Sequence, residues 1–271
     1  MANYYIVFLM KAKEPGQEVW DSFWTAKTDT SKVYPSSPSV LQAIRRNFNV
    51  PGMKILEVGA GTGRDSCELA ADGADVHVLD FSPASLNIIG GLKAEAGLQH
   101  LNLIRGDAFQ SPFATDSFDL VFHQGLLEHF HNPLDLLREN RRILKPGGSC
   151  LCDIPQTFHL YTVAKKLLIA MDKWFAGWET QYTMGSLKKM MNQAGFEVWY
   201  VYGDWMRPSF LYRVLREIGF KVGVELPKYP LRGTAWDNFK ESLLDRLGSF
   251  YPAHYTQLSI GVIGRKPLDV R

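Results

Sequence analysis

Three closely spaced glycines with an acid just before them are the residues whose types and spacing point most directly to chemistry. Gly59, Gly61 and Gly63 follow an apolar run at 54–58 that is typical of a buried strand, and helix-forming residues come next. Glycine lacks a Cβ atom, so the backbone can turn sharply and a ligand can approach it closely. This strand, turn and helix predict a site for a nucleotide cofactor beside Glu57.

Two further acids stand near the ends of predicted strands. Asp80 ends a strand at 76–80, where a carboxylate can accept charge-assisted hydrogen bonds from both hydroxyls of a ribose. Its alternative role is to cap the helix that begins near Ser82. Asp107 lies toward the end of a third strand at 101–109, and its alternative is a solvated loop acid.

The order of these motifs resembles one enzyme family. The pattern E-x-G-x-G-x-G at 57–63 resembles motif I of the class I S-adenosylmethionine-dependent methyltransferases. The run L-K-P-G-G at 144–148 and the pair Glu128-His129 look like the type 11 group, which includes the quinone-ring and sterol carbon methyltransferases. The resemblance implies an α/β fold: a Rossmann-like, doubly wound sheet of seven mostly parallel strands, with a helical cap insertion.

The same resemblance implies S-adenosylmethionine as the cofactor and gives roles to individual residues. Asp80 would clamp the ribose and Asp107 would meet the adenine amine, while the segment after the fourth strand would lie beside the methyl group. The implied cofactor-binding residues are Glu57, Gly59, Ala60, Gly61, Thr62, Gly63, Asp80, Phe81, Ser82, Asp107, Ala108, Phe109, His123 and Gln124.

His129 is the candidate catalytic residue, since an unperturbed imidazole titrates near neutrality and the family places this segment near the methyl donor. The alternatives are a histidine that only packs or caps, and a mechanism that depends on proximity and orientation without a base. Glu128 with His123, His129 and His131 could be drawn as a metal site, but a strand-to-helix segment does not guarantee convergent ligands. We therefore predict no metal.

The chain is predicted to divide into four parts. These are an N-terminal cover at 1–38, a cofactor-binding core at 39–202, a cap insertion at 203–256 and a last core strand within 257–271. An apolar segment at 4–10 and a linker at 33–38 belong to the cover. Helices are predicted at 18–27, 39–48 with Ser39 as its cap, 160–178, 186–193, 210–218 and 236–247, and the final strands at 196–202 and 257–264.

Composition excludes several classes of protein. The chain has 271 residues, 46% of them hydrophobic, and a net charge of +2, which gives no strong electrostatic footprint for nucleic acid. Cys67, Cys150 and Cys152 are an odd number within predicted helix or strand, which favours a reducing, cytoplasmic location over a disulfide framework. The segment at 4–10 is far shorter than the roughly 20 residues that span a bilayer.

These observations predict a methyltransferase acting on a small-molecule acceptor, with a carbon, oxygen or nitrogen atom as the methyl acceptor. Aromatic residues crowd the second half, from Trp174 to Trp205, and favour core packing over a substrate wall. Residues 210–218 favour a helix packed in the cap over one lying on a membrane surface. A cofactor-binding module without catalysis is one alternative function. A nicotinamide oxidoreductase is another, but the dinucleotide pattern G-x-G-x-x-G needs a glycine where Arg64 stands. The sequence leaves the oligomeric state open.

Overall fold

The computed structural model describes residues 16–26, 38–174, 176–228, 239, 242–243, 247 and 251–268. In this part of the chain seven strands form one sheet in the order β3-β2-β1-β4-β5-β7-β6. Strand β7 runs antiparallel to both of its neighbours, and the other neighbouring strands are parallel. The strands are β1 Lys54–Val58, β2 Asp75–Asp80, β3 Leu101–Arg105, β4 Phe118–Gln124, β5 Leu144–Pro155, β6 Glu197–Asp204 and β7 Ser259–Arg265. The predicted fold class is confirmed.

Helices pack on both faces of this sheet. They are α1 Gln17–Ala26, α2 Ser39–Asn47, α3 Arg64–Ala71, α4 Pro83–Ala96, α5 Pro133–Ile143, α6 Leu160–Ala170, α7 Met184–Gln193 and α8 Phe210–Lys221, with 3₁₀ turns at Leu127–His129 and Tyr251–Tyr255. Alternate strand residues enter two separate cores: Ile55 joins one cluster, and its neighbour Leu56 joins the other. Because strand side chains alternate between faces, this division makes the sheet doubly wound. Within the described residues, no helix is long and apolar enough to cross a membrane.

Several element boundaries differ from the sequence prediction. The helix expected at 160–178 ends at Ala170, and Asp172 then adopts a left-handed φ of 56°. Ser39 does not cap α2: Pro38 occupies the cap position, without a side-chain hydrogen bond, and Ser39 is the first helical residue. The L-K-P-G-G run lies within β5 as its opening residues.

Some predicted segments fall outside the described residues. The apolar segment at 4–10 lies outside them entirely, as does all of the 33–38 linker except Pro38. Most of the predicted helix at 236–247 also lies outside, so its outcome is not decided. The helix expected at 210–218 is present as α8, and β6 includes the first two residues of the predicted cap insertion.

Candidate active site

The glycine turn joins β1 to α3 at the carboxyl end of the sheet. Gly59, Gly61 and Gly63 all have positive φ angles, of 67°, 57° and 65°. A Cβ atom on Gly61 would lie 2.7 Å from the Trp24 ring, and one on Gly63 would lie 2.7 Å from Ile89. Both the backbone conformation and the available space therefore require glycine in this turn.

A cavity of about 1810 Å³ opens beside this turn, at the carboxyl ends of β1, β2, β3 and β4. Ligands of open α/β sheets bind in this position. Twelve of the sequence-predicted site residues line the cavity: Glu57, Gly59, Ala60, Gly61, Thr62, Asp80, Phe81, Asp107, Ala108, Phe109, Gln124 and His129. Gly63, Ser82 and His123 are not among the lining residues.

The three remaining residues have other positions. Gly63 and Ser82 occupy the N-cap positions of α3 and α4, and the Ser82 hydroxyl accepts a hydrogen bond from the backbone N–H of Ser85. The His123 side chain is fully buried and does not line the cavity, and its Nε2 lies 3.3 Å from the Sγ of Cys152. Among the described residues, His123, Cys150 and Cys152 are the group whose ligand atoms lie within 4.8 Å of one another. Glu128, His129 and His131, which the sequence analysis considered as metal ligands with His123 and rejected, are not part of this group.

Glu57 is a buried carboxyl group in the wall of the cavity. The Ser66 hydroxyl, in the first turn of α3, donates a hydrogen bond to Glu57 Oε2. Burial, reinforced by the negative charge of Asp65, raises the pKa of Glu57 to about 8. A buried carboxylate without a matching cation is costly, so this side chain favours a positively charged group nearby.

Asp80 is held at the end of β2 by three donors. Its Oδ2 accepts hydrogen bonds from the Gly61 N–H at 3.3 Å and the Ser85 hydroxyl at 3.0 Å, and its Oδ1 accepts one from the Ser82 N–H at 2.9 Å. Burial raises the pKa of Asp80, and these hydrogen bonds oppose the increase. Ser82, not Asp80, is the N-cap of α4. The network fixes the Asp80 carboxyl against the glycine turn.

Asp107 orders the loop that follows β3. Its Oδ1 accepts a hydrogen bond from the Phe109 N–H at 2.8 Å, although the residue itself is exposed. The strand ends at Arg105, earlier than predicted, so residues 107–109 form a short loop along the cavity. Phe109 packs edge-on against Phe130, with the ring centres 4.8 Å apart.

His129 ends the 3₁₀ turn after β4 and faces the cavity while remaining largely buried. Burial, with a smaller contribution from the positive charge of Lys165, lowers its pKa to about 4, against the opposing charge of Glu179. The preceding Glu128 is buried away from the cavity lining, and burial together with the charge of Glu179 raises its pKa to about 8. Near pH 7 both side chains are therefore uncharged.

The N-terminal helix α1 lies directly over the site. Trp24 packs against Gly61, and the Ser82 hydroxyl donates a hydrogen bond to Asp21. The Trp20 ring lies edge-on to His129 at 4.9 Å. These contacts join α1 to the glycine turn, to the start of α4 and to the 3₁₀ turn. The sequence predicted a helix at 18–27 but did not predict these particular contacts.

The cavity has an aromatic wall, of which the sequence analysis predicted Phe81 and Phe109 but none of the other rings. The wall consists of Trp20, Phe23 and Trp24 from α1, with Phe81, Phe109 and Phe130 from the loops after the strands. The described aromatic residues of the second half, including Trp174, Trp178 and Trp205, do not line the cavity. Phe175 is outside the described residues. The spacing of Trp20, Phe23 and Trp24 on one short helix was the available signal.

Comparison with known proteins agrees with this geometry. A family model described as a methyltransferase domain matches residues 56–152. The demethylmenaquinone methyltransferase of Clavibacter sepedonicus is 41% identical over 142 residues, which cover 51% of this chain and 57% of that enzyme. The demethylmenaquinone methyltransferase of Listeria monocytogenes serotype 4a is 32% identical over 168 residues, which cover 54% of this chain and 70% of that enzyme.

The chain belongs to the class I S-adenosylmethionine-dependent methyltransferases. Its match spans less than two thirds of the Clavibacter enzyme. A chain from the complex between the Haloferax volcanii Trm112 methyltransferase activator and a putative methyltransferase shares the fold, with a TM-score of 0.63 and 18% identity. That likeness covers 94% of this chain and 99% of the other.

The cofactor of this family is S-adenosylmethionine, and the cavity fits it chemically. Two buried carboxyl groups, Glu57 and Asp80, line one cavity together with Gly59 and Gly61 of the turn between them. The ligand carries an ammonium group and a ribose, which are the groups that two such acids can bind. The exposed Asp107 and the ring of Phe109 also line this cavity, and a carboxylate with an apolar ring is chemically suited to an adenine.

Proposed function

We propose that this protein transfers a methyl group from S-adenosylmethionine to a small molecule with an aromatic ring, of the quinol type. The observation that carries the proposal is the part of the aromatic wall formed by α1 and Phe130, since a flat apolar acceptor can pack against these rings. The names of the Clavibacter and Listeria relatives, both demethylmenaquinone methyltransferases, support the same class of acceptor. The accepting atom, carbon, oxygen or nitrogen, is left open.

In this proposal the early strand ends hold the cofactor. Glu57 binds the ammonium group, Asp80 binds the ribose hydroxyls, and residues 107–109 with Phe81 enclose the adenine. Gln124, whose amide donates a hydrogen bond to the buried Asp153 at 3.3 Å, lies on the acceptor side with His129. When bound, the cofactor supplies an electrophilic methyl group on a sulfonium centre.

His129 is proposed to orient the acceptor. With a pKa of about 4, its neutral ring can accept a hydrogen bond from a hydroxyl group of the acceptor, but it is a weak base. We therefore assign most of the rate enhancement to proximity and alignment of the two reactants, which can lower a barrier greatly without a strong base. S-adenosylhomocysteine is the leaving group, and the proton that the acceptor loses passes to solvent. Closure of the aromatic wall would also exclude water from the methyl group.

Two segments are proposed to cover the site. The first is the N-terminal part at 1–38, whose α1 already contacts Gly61 and His129. The second is the insertion at 203–256, from which Lys228 lines the cavity. The core at 39–202 with the last strand in 257–271 would then bind cofactor by itself.

Three unpaired cysteines support the cytoplasmic location proposed for this enzyme.

The test is mass spectrometry of products formed with S-adenosylmethionine that carries a trideuterated methyl group. The acceptors are a substituted hydroquinone with an isoprenoid chain, the same ring without the chain, a catechol and an aromatic amine. We expect labelled product from the hydroquinones, and none from the Asp80→Ala variant at a limiting cofactor concentration. Cofactor binding with no product from any acceptor would contradict the proposal and favour a module without catalysis.

A further inference from the structure

Helix α8 exposes an apolar stripe to solvent. Leu211, Val214, Leu215 and Ile218 follow a three- and four-residue spacing, which puts them on one side of the helix. Their exposed fractions lie between 40% and 68%. In α8, all of whose residues are described, Gly219 is the single buried residue. The apolar side that a globular helix normally buries is here turned outward.

Helix α6 carries a second exposed apolar stripe. Leu160, Val163, Leu167 and the following Met171 are between 44% and 62% exposed and again share one side of the helix. The two helices meet where the rings of Tyr161 and Phe210 lie 6.1 Å apart. We call these eight apolar residues, Leu160, Val163, Leu167, Met171, Leu211, Val214, Leu215 and Ile218, the α6–α8 face.

Positive charge is concentrated around this face. Apart from the buried Lys165, residues 160–173 and 210–221 together carry five basic and two acidic side chains, a net charge of +3, whereas the whole chain carries +2. Lys165 is neutralised by the buried Glu179, but Lys166 and Lys221 are exposed. The rest of the chain is therefore slightly acidic. Apolar residues flanked by exposed lysines are typical of helices that lie on anionic membrane surfaces. Arg213 and Arg216 instead donate hydrogen bonds to backbone carbonyl groups beyond the two ends of α8.

A short segment of chain joins the end of α8 to the cavity. The chain continues from the end of α8 through Val222 and Val224, both exposed, to Lys228, which lines the cavity beside the aromatic wall. Apolar side chains scattered singly over a surface are ordinary, whereas exposed apolar side chains grouped together mark interaction sites. The excess of positive charge favours an anionic lipid surface over an uncharged one as the partner, because basic side chains attract anionic headgroups.

We infer that the α6–α8 face binds the surface of a bilayer that contains anionic lipid, with its apolar side chains entering the boundary between headgroups and acyl chains. The exposed lysines beside it contact the lipid phosphates. The two helices lie on the bilayer and do not cross it. The inference rests on these two helices and not on the proposed methyl transfer, and it would bring the cavity close to acceptors dissolved in lipid.

The experiment is co-sedimentation of the full chain with vesicles of phosphatidylcholine, pure or with about one third phosphatidylglycerol. We expect binding to the anionic vesicles and weak binding to the neutral ones. The variant Leu211→Glu/Ile218→Glu should bind anionic vesicles at least about tenfold more weakly than the parent protein, because it removes apolar contact and adds negative charge. The matched control is Leu268→Glu, whose side chain is as exposed as that of Leu211. It lies after β7, and its binding should match the parent protein.

Cofactor affinity, measured by calorimetry, checks that all variants are folded and should not change. The inference is overturned if the parent protein does not sediment with anionic vesicles, or if the double variant binds them as the parent does. A dimer without lipid that the double variant abolishes, combined with no vesicle binding, would instead assign this face to a second copy of the chain. Methyl transfer is not a readout, so failure of the proposed function leaves these outcomes unchanged.

Discussion

Glu57 gives the sharpest test of how the cofactor is bound. Its carboxyl group is buried beside the glycine turn, accepts a hydrogen bond from Ser66 and has a pKa of about 8. If Glu57 binds the ammonium group of S-adenosylmethionine, the complex requires the ionised form. The neighbouring positive charge then lowers the pKa of Glu57 in the complex, and binding must release a proton near neutral pH.

The size of this effect follows from the pKa. A carboxyl group with a pKa of about 8 is only about one tenth ionised at pH 7 and about one hundredth at pH 6. Since one pKa unit corresponds to about 1.4 kcal/mol, ionising Glu57 opposes binding by an energy on the order of 1 kcal/mol at pH 7 and by roughly twice as much at pH 6. We expect the Kd for S-adenosylmethionine to rise about tenfold from pH 7 to pH 6.

Isothermal titration calorimetry at pH 6, 7 and 8, in buffers of different ionisation enthalpy, measures both the affinity and the proton release. We expect Glu57→Gln to remove the proton release and to flatten the pH dependence, because an amide cannot ionise. The matched control is Glu95→Gln, which removes an exposed acid from the same cavity and should leave both quantities unchanged. An affinity independent of pH in the parent protein, or a pH dependence retained by Glu57→Gln, would refute the assignment.

Three further predictions concern single side chains. Asp80→Ala should raise the Kd for S-adenosylmethionine about ten- to a hundred-fold in the same calorimeter, because it removes a charged hydrogen-bond acceptor; an unchanged Kd would contradict the ribose role. Because the pKa of Glu128 is raised, its ionisation opposes folding more and more as pH rises from about 4.5 toward 8. Glu128→Gln should therefore have the same melting temperature as the parent at pH 4 and a higher one at pH 8, where the gain in unfolding free energy is at most about 5 kcal/mol. A lower melting temperature at pH 8 would show that the ionised form is stabilised. His129→Ala should slow single-turnover methyl transfer less than about tenfold, with a flat rate between pH 6 and 9, whereas a loss of about 10²-fold or more would make His129 a base.

Much of the sheet was predictable because its strands are short apolar runs that end in motif residues. The glycine turn after β1, the acid that ends β2 and the run that opens β5 each mark a strand boundary by residue type. Parallel strands place these ends at one edge, so the prediction also brought most of the site residues into one cavity.

The differences arise where tertiary contacts decide the outcome. His123 was expected near the methyl group, but alternation along β4 turns its side chain into the core with Cys152. The apolar run at 160–178 was predicted to be one long helix, but the helix ends at Ala170. Trp174 lies beyond that end, where its indole N–H donates a hydrogen bond to Glu179. Local periodicity does not show which apolar stripe is covered, so the exposure of α6 and α8 could not be predicted from it.

The contacts of α1 illustrate the same limit. The spacing of Val19, Phe23 and Ala26 predicted a helix but not the surface on which it packs. The Trp24 ring against Gly61 and the Trp20 ring against His129 join positions that are far apart in the sequence. These contacts create the aromatic wall, and with it the proposed preference for a ring-shaped acceptor.

The central claim is that the glycine turn and the two strand-end acids form the binding site for S-adenosylmethionine. A crystal structure of the protein with S-adenosylhomocysteine tests it most directly. We predict electron density for the ribose hydroxyls within hydrogen-bonding distance of Asp80, for the amino group beside Glu57 and for the adenine against residues 107–109. Density for the ligand outside this cavity, or in it with the ribose remote from Asp80, would contradict the account.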